Sequence, residues 1–173
     1  MRTNIFFSAD WHLGHNNILK YDDRPFRDVK HMHRVLVNNY NSSVRQEDIC
    51  YFVGDMGICK GDIIKNIVQE LQGTKILILG NHDKGKEAML KAGFDVVLNG
   101  VVLVIANERV TISHCPLAGV WREDVTNMRN AVEHECWHGE SRHKDKYSMV
   151  DLGQFHLHGH IHSVPEEKIF GKK

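Results

Sequence analysis

The chain has 173 residues, enough for one domain with a true core and no need of disulfide staples. Lysine plus arginine and aspartate plus glutamate are balanced at 22 each, which excludes a polybasic nucleic-acid coat and a polyanionic tail protein. A hydrophobic fraction of 42% excludes wholesale disorder, and 13 histidines against four cysteines at 50, 59, 115 and 136 direct attention to imidazole chemistry.

The elements alternate through the first half. Asn4–Ala9 reads as a buried strand ending at Asp10. Asp28–Asn39 reads as a helix, with Val29, Met32, Val35, Leu36 and Tyr40 at three- and four-residue spacings. Asp48–Val53 is a second strand running into Gly54-Asp55, and Asp62–Leu71 a second helix with Gly73 as its stop signal. Lys75–Leu79 is a third strand, followed by Gly80-Asn81-His82-Asp83 and a short helix at Lys86–Ala92 closed by Gly93. Strand–helix alternation predicts a parallel, buried sheet. From Phe94 the pattern changes. Phe94–Leu98, Val101–Ala106 and Arg109–Ser113 predict antiparallel hairpins, with Asn99-Gly100 as a turn signal. Residues 116–150 read as a polar insertion loop with a helix around Asn127–Cys136, and Gln154–Leu157 as a final strand. No linker divides the chain, so 1–173 is expected to form one domain. The longest apolar run is six residues and the N-terminus lacks a signal-peptide pattern. The cysteines form no C-x-x-C pair, so a cytoplasmic protein away from membranes is the expectation.

Polar outliers fall where strands end. Asp10 and His12 follow the first strand, Asp55 the second, Asn81 and His82 the third, His114 the Arg109–Ser113 strand, and His160 and His162 the last. Open α/β sheets build sites at carboxyl strand ends. In an extended chain, residues two apart share a side, so Asp10 and His12 can ligate one ion together, and His160 and His162 have the same spacing. Two carboxylates, one amide oxygen and four imidazoles suit manganese, iron, zinc, cobalt or nickel, and seven donors suit two ions with Asp55 as the bridge. His82 stands beside a ligand as an acid, or as a further ligand, and Asp83 is placed to orient His82 or a ligating imidazole. His156 and His158 share the parity of the final pair, so a His158–His160 pair is an alternative unless Gly159 breaks the strand. His134, Cys136, His138 and His143 fit no standard zinc spacing. His15, Asn17 and Arg24 are candidates for the substrate rim, Arg24 through bidentate phosphate geometry or else as a salt bridge before Pro25. Trp121, Arg122 and Lys144 are weaker substrate-side candidates.

Asp10-Trp11-His12, Gly54-Asp55, Gly80-Asn81-His82-Asp83, Ser113-His114 and Gly159-His160-Ile161-His162, in that order, resemble the five blocks of the calcineurin-like metallophosphoesterase superfamily. A fixed string such as Gly-Asn-His-Asp arises by chance roughly once in a thousand chains of this length, so five ordered blocks make coincidence a poor account. Asp10 to Ile18 with Arg24-Pro25-Phe26 resembles small single-domain bacterial and phage members.

The resemblance implies a four-layer α/β/β/α sandwich of two mixed sheets. It implies one ion on Asp10, His12, Asp55 and His162 and a second on Asp55, Asn81, His114 and His160, with manganese the first choice. The implied reaction is phosphoester hydrolysis, phosphodiesters before monoesters, by a metal-bridging hydroxide with His82 as proton donor. The expected partner is a phosphate ester, with nucleotides among the candidates; no extended nucleic-acid surface is evident and self-association is left open. A nuclease, a monoesterase and a non-catalytic scaffold are the alternatives, the scaffold disfavoured because no ligand is missing. Absence of an Asp-Arg-Gly run after Asp55 disfavours a protein phosphatase. Only eleven residues follow His162, which puts the last strand of the second sheet in question.

Overall fold

A computed structural model describes residues 2–58, 62–115, 155–160 and 162. The insertion at 116–150, its helix around Asn127–Cys136, the His134–Cys136–His138–His143 group, Trp121, Arg122, Lys144, Gln154 and the final eleven residues lie outside the described residues.

The protein is mixed α/β, with two sheets and four helices among the described residues. In chain order they are β1 (Ile5–Ser8), α1 (Ile18–Tyr21), α2 (Val29–Ser43), β2 (Ile49–Val53), α3 (Ile63–Glu70), β3 (Thr74–Ile78), α4 (Lys86–Ala92), β4 (Val96–Leu98), β5 (Gly100–Ile105), β6 (Glu108–Ser113) and β7 (Phe155–Leu157). The first sheet, β1-β2-β3-β4, is parallel throughout. The second, β5-β6-β7, pairs β5 with β6 antiparallel and β6 with β7 parallel.

Side-chain alternation along β2 shows how the layers form. Cys50 and Phe52 face a core made with the helices, where Val37 and Tyr40 of α2, Ile64, Ile67 and Val68 of α3, and Met89 and Ala92 of α4 gather. Tyr51 and Val53 face the other way, into a core shared with Val101, Leu103, Val110, Ile112 and Leu157 of the second sheet. A strand buried on both faces carries apolar residues at both parities, which is why Ile49–Val53 is a continuous apolar run. Three layers follow: helices, first sheet, second sheet.

Local chemistry sets the element ends. Asp28 starts α2 by accepting the His31 N–H at 2.7 Å. Gly93 closes α4 in the left-handed region at φ 109. The β5–β6 turn is the two-residue Ala106-Asn107, both left-handed (φ 51 and 68), as a type I′ hairpin demands.

Two expectations need correction. Val96–Leu98 joins no hairpin; it pairs parallel to β3, and its Val97 is buried in the helix-side core. Asn99-Gly100 therefore carries the chain from one sheet to the other. One turn of helix, α1, was not foreseen: at four residues it is too short for periodicity to register. No helix among the described residues is long and apolar enough to cross a membrane.

Candidate metal centre

Because β1, β2 and β3 run parallel, Asp10, Asp55 and Asn81 leave the sheet at one edge, and the exits of β6 and β7 deliver His114, His160 and His162 to the same place. The first two exits are zipped together by backbone. Asp10 N–H donates to Gly54 O at 3.1 Å, His12 N–H to Asp55 O at 2.9 Å and Leu13 N–H to Met56 O at 2.8 Å. Trp11 points away from the site and anchors this stretch in the core, edge-on to Tyr40 and Phe52, with Nε1 donating to Ser8 Oγ at 2.7 Å. Buried Trp11 between Asp10 and His12 thus fixes where both donors point.

Their pairing does not come from an extended chain. Asp10 (φ 55), His12 (φ 50), Asp55 (φ 52), His160 (φ 73) and His162 (φ 46) are all left-handed. Asp10 and His12 do converge, through tight left-handed bends rather than through strand alternation, whereas His160 and His162 go to different clusters. β7 ends at Leu157, and the His158–His160 alternative is not realised: His158 Nδ1 hydrogen-bonds to Gly159 O at 2.9 Å and its ring stacks on His156.

Two donor clusters result. In the first, His12 Nε2 lies 3.0 Å from His162 Nε2, His162 Nε2 3.4 Å from Asp10 Oδ1, and His12 Nε2 3.8 Å from Asp55 Oδ2. In the second, His114 Nε2 lies 3.0 Å from Asn81 Oδ1, 3.2 Å from Asp55 Oδ2 and 3.3 Å from His160 Nδ1, while His160 Nδ1 is 3.0 Å from Asn81 Oδ1. Asp55 Oδ2 faces both clusters. Its other oxygen accepts the His82 N–H at 2.9 Å.

The proton positions show what these clusters suit. A carbonyl only accepts, so His114 Nδ1, 2.9 Å from Val53 O, carries a proton, and in the neutral ring Nε2 is a lone pair. That lone pair points at an amide oxygen, a carboxylate oxygen and another imidazole nitrogen. Likewise His162 Nδ1 donates to Asp22 Oδ2 at 2.7 Å, so in the neutral ring its Nε2 lone pair meets His12 Nε2 and Asp10 Oδ1. Converging acceptors need a proton or a cation between them. Donors bound at about 2.0–2.2 Å with angles near 90–110° stand about 2.9–3.5 Å apart, which matches the shortest separations in both clusters. Asp10, His12 and His162, and Asp10, Asp55 and His114, fit an ion as groups of three, as do His114, Cys115 and His160.

Charge states follow from position. Burial pushes the His12 imidazole down to about 4, against the pull of Asp55, and burial with the charge of His114 holds His160 at about 4. Burial opposes ionisation of Asp55, yet the hydrogen bond and charge of His114 hold it at about 2. His114 rises despite its burial because Asp55 binds it, and His162 rises through its contact with Asp10 and then Asp22.

Three block glycines are where they are because a donor side chain of the clusters lies against each. A Cβ on Gly54, which is left-handed at φ 82, would stand 2.2 Å from His114 Nδ1. On Gly80 it would stand 2.2 Å from Asp55 Oδ1, and on Gly159 2.5 Å from Asp10 Oδ2.

The remaining expected residues divide. His82 sits at the rim with its side chain 46% exposed and Nε2 4.0 Å from Asp55 Oδ2. His15 lies beside it, ring centroid 5.6 Å from His12; burial and then the charge of His82 lower its pKa. Asn17 is exposed at the start of α1, its carbonyl accepting from Lys20 and Tyr21, which ties it to the helix and to neither cluster. Arg24 is not a free phosphate fork: its guanidinium donates to Asp22 and to the Asp10 and Trp11 carbonyls. Among the described residues Asp83 hydrogen-bonds to no imidazole. Its carboxylate accepts three backbone N–H groups, from Asp55 at 3.0 Å, Met56 at 2.8 Å and Gly80 at 2.8 Å, and so clamps the second and third strand exits together. Sequence reasoning missed Asp22, and also His33, whose Nε2 accepts the Gly14 N–H at 2.9 Å and holds the first loop to α2.

No family model matches the chain. It is 42% identical over 82 residues to the uncharacterized protein MJ1445 of Methanocaldococcus jannaschii, a stretch covering 46% of this chain and 47% of that protein. The chain thus spans about half the length of that relative. It is 27% identical over 170 residues to the Gene 66 protein of Mycobacterium phage L5, covering 93% of this chain and 78% of that one. Among solved structures it resembles a protein of unknown function, AQ665, from Aquifex aeolicus, with a TM-score of 0.56 and 31% identity over 65% of this chain and 60% of that one.

Proposed function

We propose that the chain is a dinuclear metal-dependent phosphoesterase of the calcineurin-like metallophosphoesterase type, acting on phosphodiesters. The observation that carries this reading is the meeting of two acceptor-rich donor clusters at Asp55 Oδ2, buried at the common edge of two sheets. On this reading Asp10, His12, Asp55 and His162 hold one divalent ion, and Asp55, Asn81, His114 and His160 the other, manganese first and iron, nickel, zinc or cobalt as alternatives. Such a pair, once bound, supplies Lewis acidity and a nucleophilic water at neutral pH. The fold is then the four-layer sandwich of that superfamily, a reading supported by the two stacked sheets and the helix layer of the described residues.

The chain's own residues supply the rest. His82 has a fixed backbone, its N–H bound to Asp55 Oδ1, and a ring left half in solvent above the clusters. Nothing among the described hydrogen bonds ties up its ring nitrogens, so it is placed to deliver a proton to a departing oxygen. His15 lines the same rim. Phosphodiesters are preferred on the sequence resemblance, and a cyclic or open nucleotide is an example of that chemistry.

The test is reconstitution of metal-free protein with manganese, nickel, zinc and iron(II), assayed on bis-p-nitrophenyl phosphate, p-nitrophenyl phosphate, cyclic nucleotides and single-stranded DNA. Hydrolysis of the diester is expected, with His82→Ala keeping both ions and losing most turnover. No hydrolysis with any metal would make the protein a scaffold. A monoester preference would remove the diester assignment, and metal loss in His82→Ala would overturn the proton-donor role.

A further inference from the structure

Asp22 belongs to none of the motif blocks; it lies on the segment between α1 and α2. Yet one of its oxygens joins the two ends of the first donor cluster. Oδ2 lies 2.7 Å from His162 Nδ1, and the same atom accepts Arg24 Nε at 3.3 Å and Nη2 at 3.1 Å. Arg24 continues to the backbone of the first block, Nη2 to Asp10 O at 2.8 Å and Nη1 to Trp11 O at 3.3 Å. An imidazole from one end of the chain and the loop carrying Asp10 and His12 from the other are therefore held by a single carboxylate–guanidinium pair, mostly shielded from solvent.

The four cluster histidines differ in what stands behind them. His114 is backed by the Val53 carbonyl, His12 Nδ1 is buried with no hydrogen-bond partner among the described residues, and His160 turns its Nδ1 into the cluster. Among these four, His162 is backed by a carboxylate. Such a partner fixes the proton on the remote nitrogen, orients the ring and strengthens the facing nitrogen as a donor. Arg24 keeps that carboxylate in place through charge-assisted bonds.

We propose that Asp22, braced by Arg24, is the positioning residue for the first ion: it fixes the His162 tautomer and makes occupancy of the first cluster, and not of the second, depend on the 22–24 segment. The inference rests on the metal-binding reading above.

Cobalt(II) is the probe, added to metal-free protein and followed by calorimetry and by its visible bands. Asp22→Asn is expected to weaken one of two ions by about 10–100-fold and leave the other unchanged. Equal weakening of both ions, as a purely structural defect gives, overturns the proposal, and so does no weakening at all. Two ions retained by Asp22→Asn as tightly as by wild type would sink this positioning role alone; no cobalt uptake by wild type would sink the metal reading itself and this role with it. Because Asp22→Asn could fail to fold, a second measurement uses the unaltered chain. Long-range ¹H–¹⁵N spectra of zinc-loaded wild type are expected to show His162 protonated at Nδ1 and metal-bound at Nε2. The reverse tautomer overturns the proposal without any variant.

Discussion

Replacing Gly80 by alanine is expected to remove both ions at once. The added Cβ would stand 2.2 Å from Asp55 Oδ1, 2.4 Å from Asp55 N and 2.9 Å from Asp55 Cγ. Ordinary contact begins near 3.4 Å, so about 1.2 Å of separation has to be found. The Asp55 backbone cannot easily supply it, since its N–H is held by Asp83 and its carbonyl by His12. The carboxylate must swing, and because Asp55 N itself would stand at 2.4 Å the Gly80 exit must give way as well; Oδ2, which faces both clusters, moves with them. Metal–ligand distances tolerate only about 0.2 Å, so a shift several times larger empties both sites. Overpacking of this kind costs about 1–3 kcal/mol, which leaves the metal-free chain folded. Gly159→Ala provides a partial contrast, because its Cβ would meet Asp10 Oδ2 at 2.5 Å, and the Asp10 carboxylate faces the first cluster while also accepting the His160 N–H. Cobalt titration calorimetry with urea denaturation of the metal-free proteins reads both quantities. A folded Gly80→Ala protein that binds two ions at wild-type affinity would refute the reasoning.

Other predictions test separate links. Asp83→Asn turns an NH₂ toward at least one of the three N–H groups now bound. That removes one charge-assisted hydrogen bond and strands one buried donor, about 2–4 kcal/mol by urea midpoint, and an unchanged midpoint would contradict the clamp. Metal binding is expected to release about two protons between pH 4 and 6.5, not four. His114 and His162 hold protons above their ordinary range and must lose them, so affinity rises with pH, whereas His12 and His160, at about 4, are already neutral. Calorimetry in buffers of different ionisation enthalpy counts those protons. Burial lowers the pKa of His33, so the unfolded chain takes up that proton first and this contribution to stability is lost as pH falls below 6.5. His33→Gln, which keeps an acceptor for Gly14 and does not titrate, should flatten the stability–pH curve there; an unchanged slope would exclude His33 as its source.

The parallel half of the fold was legible because its signals are local. β2 and β3 are apolar runs with buried residues on both faces, and α2 and α3 repeat at helical spacing, so the elements fall within a few residues of expectation; β1, expected as a buried strand, is instead the half-exposed edge of its sheet, with Ile5 and Phe7 open to solvent. β4 was misread because three apolar residues before Asn-Gly look alike whether they pair back in a hairpin or forward beside β3. What distinguishes the two is the burial of Val97 under the helices, a tertiary fact. The site divides along the same line. Strand exits pointed to Asp10, Asp55, Asn81 and His114, and the structure gathers them. Asp22 was invisible because its role is made by His162, 140 positions away, with no motif to mark it. Arg24 reads from sequence either as a rim residue, because its chemistry suits phosphate, or as a salt bridge, and the second holds: its donors are occupied by nearby carbonyls and by Asp22.

The left-handed residues have a consequence for how the chain could change. Asp10, His12, Asp55, His160 and His162 each sit where a side chain costs roughly 1 kcal/mol or more, together about 5 kcal/mol against a net stability of about 5–15 kcal/mol. Glycine at such positions relieves the strain. In the metal-free chain, His12→Gly or His162→Gly is therefore expected to lose less stability than the deleted side chain suggests, or to gain some. A descendant with no use for the site would drift downhill away from it, so these five donors stand against a thermodynamic gradient that cation binding would reverse.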